Sequence, residues 1–177
     1  RQVPVLNPII RTMNNLSMIA AVGNNYELGY KNQLLCHLPV DLKRFKTLTS
    51  GHTVLMGDRT WESLPKKPLP NRRNIVITLN KDADYQNCEL AFSIEEAMQF
   101  VENDEQPFVM GGATIYKLFI DKIETLYLTR ILSDFQADVY FPELNMDEWD
   151  LVEDEFVPKD EINVYDLRFQ TYKRKQK

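Results

Sequence analysis

Twice in this chain an apolar run of the buried-strand type ends in glycine and passes straight into a helical stretch. His52-Thr53-Val54-Leu55-Met56-Gly57 leads into Asp58-Arg59-Thr60-Trp61-Glu62-Ser63-Leu64, and Pro107-Phe108-Val109-Met110 leads through Gly111-Gly112 into a helix running to Asp121. Strands buried on both faces read as continuous apolar runs, and following helices cover those faces, so the pattern demands a parallel sheet. Further strands are expected at Ser17–Val22, Arg73–Thr78 and Thr125–Ile131. Between the first strand and His37 lies a polar, glycine-punctuated loop. Ser93 and Glu96 form a capping-box pattern that opens another helix. Trp149–Phe156 and Asn163–Tyr172, separated by Pro158-Lys159-Asp160, read as a closing antiparallel pair. The expectation is an α/β fold: a central, mostly parallel sheet with flanking helices and a C-terminal antiparallel hairpin.

The 177 residues, 44% hydrophobic, suffice for one domain with a real core. Residues 1–12, with two prolines and no periodicity, are read as an added or processed leader, and 13–177 as the domain. A net charge of -5 without a basic, aromatic-interleaved stripe argues against nucleic acid. Cys36, Cys88, His37 and His52 match no metal-ligand spacing, so no metal is expected. No apolar run approaches a membrane span, and the basic Tyr172–Lys177 ending reads as a solvated tail. A monomer in the cytoplasm is the expectation.

One acid stands where an apolar residue belongs. Leu38-Pro39-Val40-Asp41-Leu42-Lys43-Arg44-Phe45-Lys46-Thr47-Leu48 reads as a helix with Pro39 in its first turn. At 3.6 residues per turn Asp41 shares a face with Leu38, Phe45 and Leu48. A carboxylate lining an apolar cleft binds an amidine-like group through two parallel charge-assisted hydrogen bonds. An acid in a first turn is also favoured by the helix dipole alone, and the segment leaves both readings open.

The glycine turns are similarly double-edged. Gly111-Gly112 between strand and helix lets a ligand approach the backbone, with helix N–H groups available to a phosphate. A tight turn would use the same residues, and no full G-x-G-x-x-G is present. With Gly57 before Asp58-Arg59-Thr60, two such turns could grip one extended phosphate-bearing ligand. In open parallel sheets ligands bind beyond the carboxyl ends of the strands, which is where the Asp41 helix and both turns are expected.

From Ser17 to Tyr172 the chain resembles the dihydrofolate reductases of bacterial type. The resemblance is carried by Ile19-Ala20-Ala21, Leu28-Gly29 with Asn32-Gln33, Leu38-Pro39-Val40-Asp41-Leu42, Met56-Gly57 with Thr60-Trp61-Glu62-Ser63-Leu64, and Pro68-Leu69-Pro70-Asn71-Arg72-Arg73-Asn74. It continues through Val109-Met110-Gly111-Gly112, Tyr116, Tyr127-Leu128-Thr129, and Asp138 with Phe141-Pro142.

The resemblance implies NADPH-dependent reduction of 7,8-dihydrofolate, with dihydrofolate and antifolate inhibitors as small-molecule partners. Asp41 matches the acid of the pterin pocket, the one catalytic residue expected, and Thr129 would bond both acid and pterin. Ile19, Ala21, Leu42, Phe45, Leu64, Leu69, Met110 and Tyr116 would line the substrate. Arg72 would clamp the α-carboxylate of the glutamate tail, while Arg73 would face solvent. Ala21, Leu28, Gly29 and Asn32 would lie along the cofactor, with Asn24–His37 as its lid. Gly57, Arg59 and Thr60 would hold it from one turn, and Gly111, Gly112, Ala113, Thr114, Ile115 and Tyr116 from the other. The Gly111–Gly112 bond is implied to be cis.

Three positions depart from the family's pattern. Cys36 replaces a tryptophan that shapes the pterin pocket. Asp58 replaces a basic residue that faces the 2′-phosphate of NADPH, so use of NADH enters as an expectation. Val139 replaces a threonine beside Asp138. Two other readings stay beside the leading one: a related pteridine or pyrimidine reductase on the same fold, and a cofactor-binding homologue of weak catalysis.

Overall fold

A computed structural model describes residues 15–176 of the chain. The leader reading falls on residues 1–12, which lie outside that range. In chain order the strands are β1 (Ser17–Val22), β2 (Glu27–Tyr30), β3 (Gln33–Leu34), β4 (Thr53–Gly57), β5 (Arg73–Ile77), β6 (Glu89–Ala91), β7 (Phe108–Val109), β8 (Thr125–Ile131), β9 (Val139–Tyr140), β10 (Trp149–Val157) and β11 (Leu167–Arg174). The helices are α1 (Pro39–Thr49), α2 (Asp58–Ser63), α3 (Ile94–Phe100) and α4 (Ala113–Phe119).

The chain divides into two compact units. The first comprises residues through Ser17 and Thr49–Glu124. Its strands run in the order β7-β4-β5-β6, and the pairs β7·β4, β4·β5 and β5·β6 are all parallel. Every residue of β4 is buried, as are Phe108 and Val109 of β7, which fits strands covered on both faces. α3 opens as its capping box requires: the Glu96 N–H donates to Ser93 Oγ at 3.0 Å, although the Glu96 carboxylate accepts from Phe92 rather than from Ser93.

The second unit comprises Met18–Leu48 and Thr125–Lys177. Its strands run β10-β11-β8-β1, with β10·β11 and β11·β8 antiparallel. The antiparallel portion is therefore three strands with the last, β11, lying between β8 and β10, and it contains the expected hairpin. β10 lies at the end of that order and exposes Asp150, Glu153, Asp154 and Glu155, charges that discourage pairing with another chain. The core of this unit is Leu38, Ile131, Leu167 and Phe169, with Ala21, Cys36, Val40, Phe135, Val157 and Tyr165 packed against it. Each such large side chain contributes about 1.5–3 kcal/mol on burial.

Three expectations need correction. The span expected as loop up to His37 holds β2 and β3, which pair antiparallel with each other and, through β2, with β9. β11 begins at Leu167 rather than Asn163, because Asn163 is used in capping α1. The closing basic segment is ordered as strand through Arg174, whose guanidinium lies over the Trp149 ring at 4.4 Å and pairs with Glu148 at 3.2 Å. Among the described residues no helix is long and apolar enough to cross a membrane.

Candidate functional site

Asp41 occupies the first turn of α1, and two devices place it there. Pro39 begins the helix, where its missing N–H costs nothing. The next N–H, of Val40, donates at 2.9 Å to Oδ1 of Asn163, a residue 123 positions away and 9% exposed. Asn163 is itself held by Asp160, which accepts from the backbone N–H groups of Asn163 and Ile162. A distant side chain thus caps the helix that carries the acid.

The Asp41 carboxylate accepts a 2.6 Å hydrogen bond from the Thr129 hydroxyl on β8. Thr129 is 2% exposed, and its backbone register partner on β11 is Phe169. Burial raises the acid's pKa, and both the Thr129 hydrogen bond and the positive charge of Arg44 oppose that rise. The Cys36 thiol is also pushed up, first by burial and then by Asp41, so this cysteine is not set up as a nucleophilic thiolate.

Of the expected apolar wall in this unit, Ile19 is buried, Ala21 and Phe45 are half-buried, and Leu42 is 48% exposed. The expected lid, 24–37, is built on β2 and β3. It is tied down by Asp138, whose carboxylate accepts from the Lys31 N–H at 3.1 Å and whose N–H donates to Gly29 O. A second anchor is Glu27, 1% exposed, which accepts from the N–H groups of Asn25 and Phe135. Leu28 is half-buried, and Asn32 sits in the left-handed region at φ 64°.

In the first unit the two glycine turns are joined directly: the Gly57 N–H donates to Gly111 O at 2.9 Å. The Gly111–Gly112 bond is cis, as the resemblance implies. Gly111 has φ +122°, and a Cβ there would stand 3.2 Å from the Tyr116 hydroxyl, so only glycine suits the position. Gly57 serves by close approach, since a Cβ would meet the Ile115 side chain at 3.0 Å. No side chain caps α2 at Gly57 or α4 at Gly112. Tyr116 is buried and its hydroxyl donates to Met110 O at 2.9 Å, so it braces the turn from beneath. Thr60 Oγ1 lies 3.4 Å from where a Cβ on Gly112 would be, while Arg59 and Thr114 are exposed and Ala113 half-buried.

Asp58, at the head of α2, accepts a 2.6 Å hydrogen bond from the Tyr85 hydroxyl, and that bond helps push the Tyr85 pKa up to about 12. Leu64 and Leu69 are half-buried, and the Leu69 backbone is held in both directions by the Asn74 side chain. Arg72 is oriented by Nε on Pro70 O at 2.9 Å and Nη1 on Thr49 Oγ1 at 3.0 Å. Arg73, expected to face solvent, has a side chain 37% exposed that grips both oxygens of Glu89 and the carbonyl of Phe100. Among the described residues, no group of His, Cys, Asp and Glu could hold a metal ion.

Three residues of these surroundings escaped sequence reasoning: Arg44, Asn163 and Tyr85. Arg44 had one legible signal, its place three residues after Asp41 on the same helix. The other two act through contacts that no local pattern encodes.

A family model described as dihydrofolate reductase matches residues 15–174. The dihydrofolate reductase of Bacillus subtilis is 41% identical over 160 residues, covering 90% of this chain and 95% of that protein. That of Haemophilus influenzae is 38% identical over 159 residues, covering 90% and 98%. A solved structure of dihydrofolate reductase from Enterococcus faecalis, complexed with NADP(H) and RAB-propyl, superimposes with a TM-score of 0.85 at 33% identity, covering 91% of this chain and 96% of that one.

Proposed function

Because the chain belongs to the dihydrofolate reductase family, we propose that it reduces 7,8-dihydrofolate to 5,6,7,8-tetrahydrofolate with NADPH, and that Asp41 holds the pterin. The observation that carries the assignment of Asp41 is its hydrogen bond from Thr129 at the margin of an apolar core. The bond orients the carboxylate and leaves it capacity to accept two more N–H groups, which the pterin 2-amino group and N3 supply. Asp41 so fixes the ring's orientation while water delivers the proton to N5. Thr129 is the second anchor of that edge.

The donor chemistry of the first unit fits a dinucleotide. Two strand-to-helix turns, linked through Gly57 and Gly111, open helices whose first residues receive no side-chain cap. Gly57, Arg59 and Thr60 would hold phosphate from one turn, and Gly112, Ala113, Thr114 and Ile115 from the other. Ala21, Leu28, Gly29 and Asn32 would also contact the cofactor. When bound, NADPH supplies a hydride from nicotinamide C4 to pterin C6. Ile19, Phe45, Leu64, Leu69 and Met110 exclude water from the pterin, and Arg72, oriented by Pro70 and Thr49, pairs with the α-carboxylate of the glutamate tail.

The relatives' shared name, over 95% or more of their lengths, favours this reading over a pteridine or pyrimidine reductase. The product serves one-carbon metabolism. A monomer in the cytoplasm, without nucleic-acid or membrane partners, completes the proposal; the acidic balance of -5 supports it. The test is NADPH oxidation by the purified protein with and without dihydrofolate at near-neutral pH. Oxidation that depends on dihydrofolate is expected; cofactor binding without it would refute the reading.

A further inference from the structure

α1 carries a cation one turn beyond its acid, and that cation is held in an unusual way. The Arg44 guanidinium carbon stands 4.5 Å from the ring centroid of Phe169 and 5.8 Å from that of Tyr127. Phe169 is the backbone partner of Thr129, the residue that bonds Asp41, and Tyr127 lies two residues from Thr129 on the same face of β8. Aromatic faces attract a guanidinium without accepting its protons as a carboxylate would. The charge is thereby held against two aromatic rings one turn beyond the acid.

We infer that Arg44 is a positioning residue of the substrate site, a cation that its seat on Phe169 and Tyr127 holds beside the Asp41–Thr129 pair. The inference rests on the reading of Asp41 as the pterin anchor. It answers a conflict built into that anchor: the apolar wall that suits a pterin ring also disfavours the carboxylate's charge. Thr129 offsets part of that penalty through a hydrogen bond, and Arg44 offsets part through its field. The charged and titratable groups that act on this pair are few. Glu153 and Glu155, exposed on β10, act on Arg44, as does Tyr127 on β8, and Cys36 faces Asp41 from the segment before α1.

The test is carbon-13 NMR titration of the Asp41 side-chain carboxyl in ligand-free protein, assigned by its loss in Asp41→Asn. Arg44→Gln and Arg44→Met remove the charge, the latter keeping an apolar stem against Phe169, and Arg44→Lys retains it. The midpoint should rise in either neutral variant and return toward the wild-type value in Arg44→Lys. Alongside it, KM for dihydrofolate in the neutral variants should increase by about threefold or more at pH 6, less at pH 8, and return toward the wild-type value in Arg44→Lys. An unchanged midpoint in a folded neutral variant would overturn the inference. So would unfolding of both neutral variants with Arg44→Lys folded, since the cation would then be serving stability. The titration is read without ligand, so it fails or succeeds separately from the dihydrofolate reading, which is judged by turnover.

Discussion

The Thr129 hydroxyl donates to Asp41 Oδ1 at 2.6 Å across 88 positions of sequence, joining the first turn of α1 to the middle of β8. A helix and a strand are thereby locked at the carboxylate proposed to hold the pterin. The acid's other supports, the Asn163 cap and the Arg44 charge, reach it from elsewhere in the same unit.

Burial raises the Asp41 pKa, and the sign of its effect on stability follows. An acid whose folded pKa lies above its unfolded value contributes stability that is present at low pH and lost as pH rises through the folded pKa. Asp41→Asn mimics the neutral acid and can still accept from Thr129. Its thermal midpoint should equal that of the wild type in acid and exceed it at neutral pH, the gap opening as pH rises through the Asp41 midpoint. Paired thermal melts across pH check this, and a variant less stable at neutral pH would contradict it.

The Asn163 cap makes a prediction about a residue outside the ligand surfaces. Asn163→Ala leaves the Val40 N–H without its side-chain partner and should cost about 1–2 kcal/mol. Denaturant unfolding gives the number directly. A loss below the error of that measurement would mean that water replaces the cap without cost.

Arg72 is oriented by Pro70 O and Thr49 Oγ1, whereas Arg73 is bound to Glu89. Arg72→Ala should raise KM for dihydrofolate by about tenfold or more with little change in kcat, the pattern of lost uniform binding. The same substitution at Arg73 should lower stability and leave KM near its original value. Steady-state kinetics on the two variants separate the assignments.

Asp58 is expected near the cofactor's ribose, and Tyr85 holds its carboxylate in place. A fixed negative charge there weakens discrimination in favour of the 2′-phosphate. Asp58→Arg should raise the ratio of kcat/KM for NADPH over NADH by about tenfold. A wild-type protein already strongly selective for NADPH would show that Arg59 or Thr60 compensates and would end this idea.

Local signals made much of the fold legible. β4 and the Ile75–Ile77 part of β5 are short apolar runs, and α1 and α3 open on proline and on Ser93. What stayed hidden was non-local or too short to carry a period. β3 and β9 have two residues each and exist because β2 supplies their partners. The Arg73–Glu89 pair depends on the β5·β6 pairing, in which Ile75 stands opposite Glu89. Asp41 was legible because an acid on an apolar helical face breaks a local rule. Arg44 was not, because a cation on a helix breaks none until Phe169 arrives from 125 positions downstream, 4.5 Å away.

The most direct test of the account is dihydrofolate-dependent NADPH oxidation by Asp41→Asn beside the wild type, with matching fold confirmed by circular dichroism. Removing one charged hydrogen-bond partner from the pterin should lower kcat/KM by about a hundredfold or more, with NADPH affinity retained. Wild-type turnover in the variant would contradict the role of Asp41, and with it the account of the site.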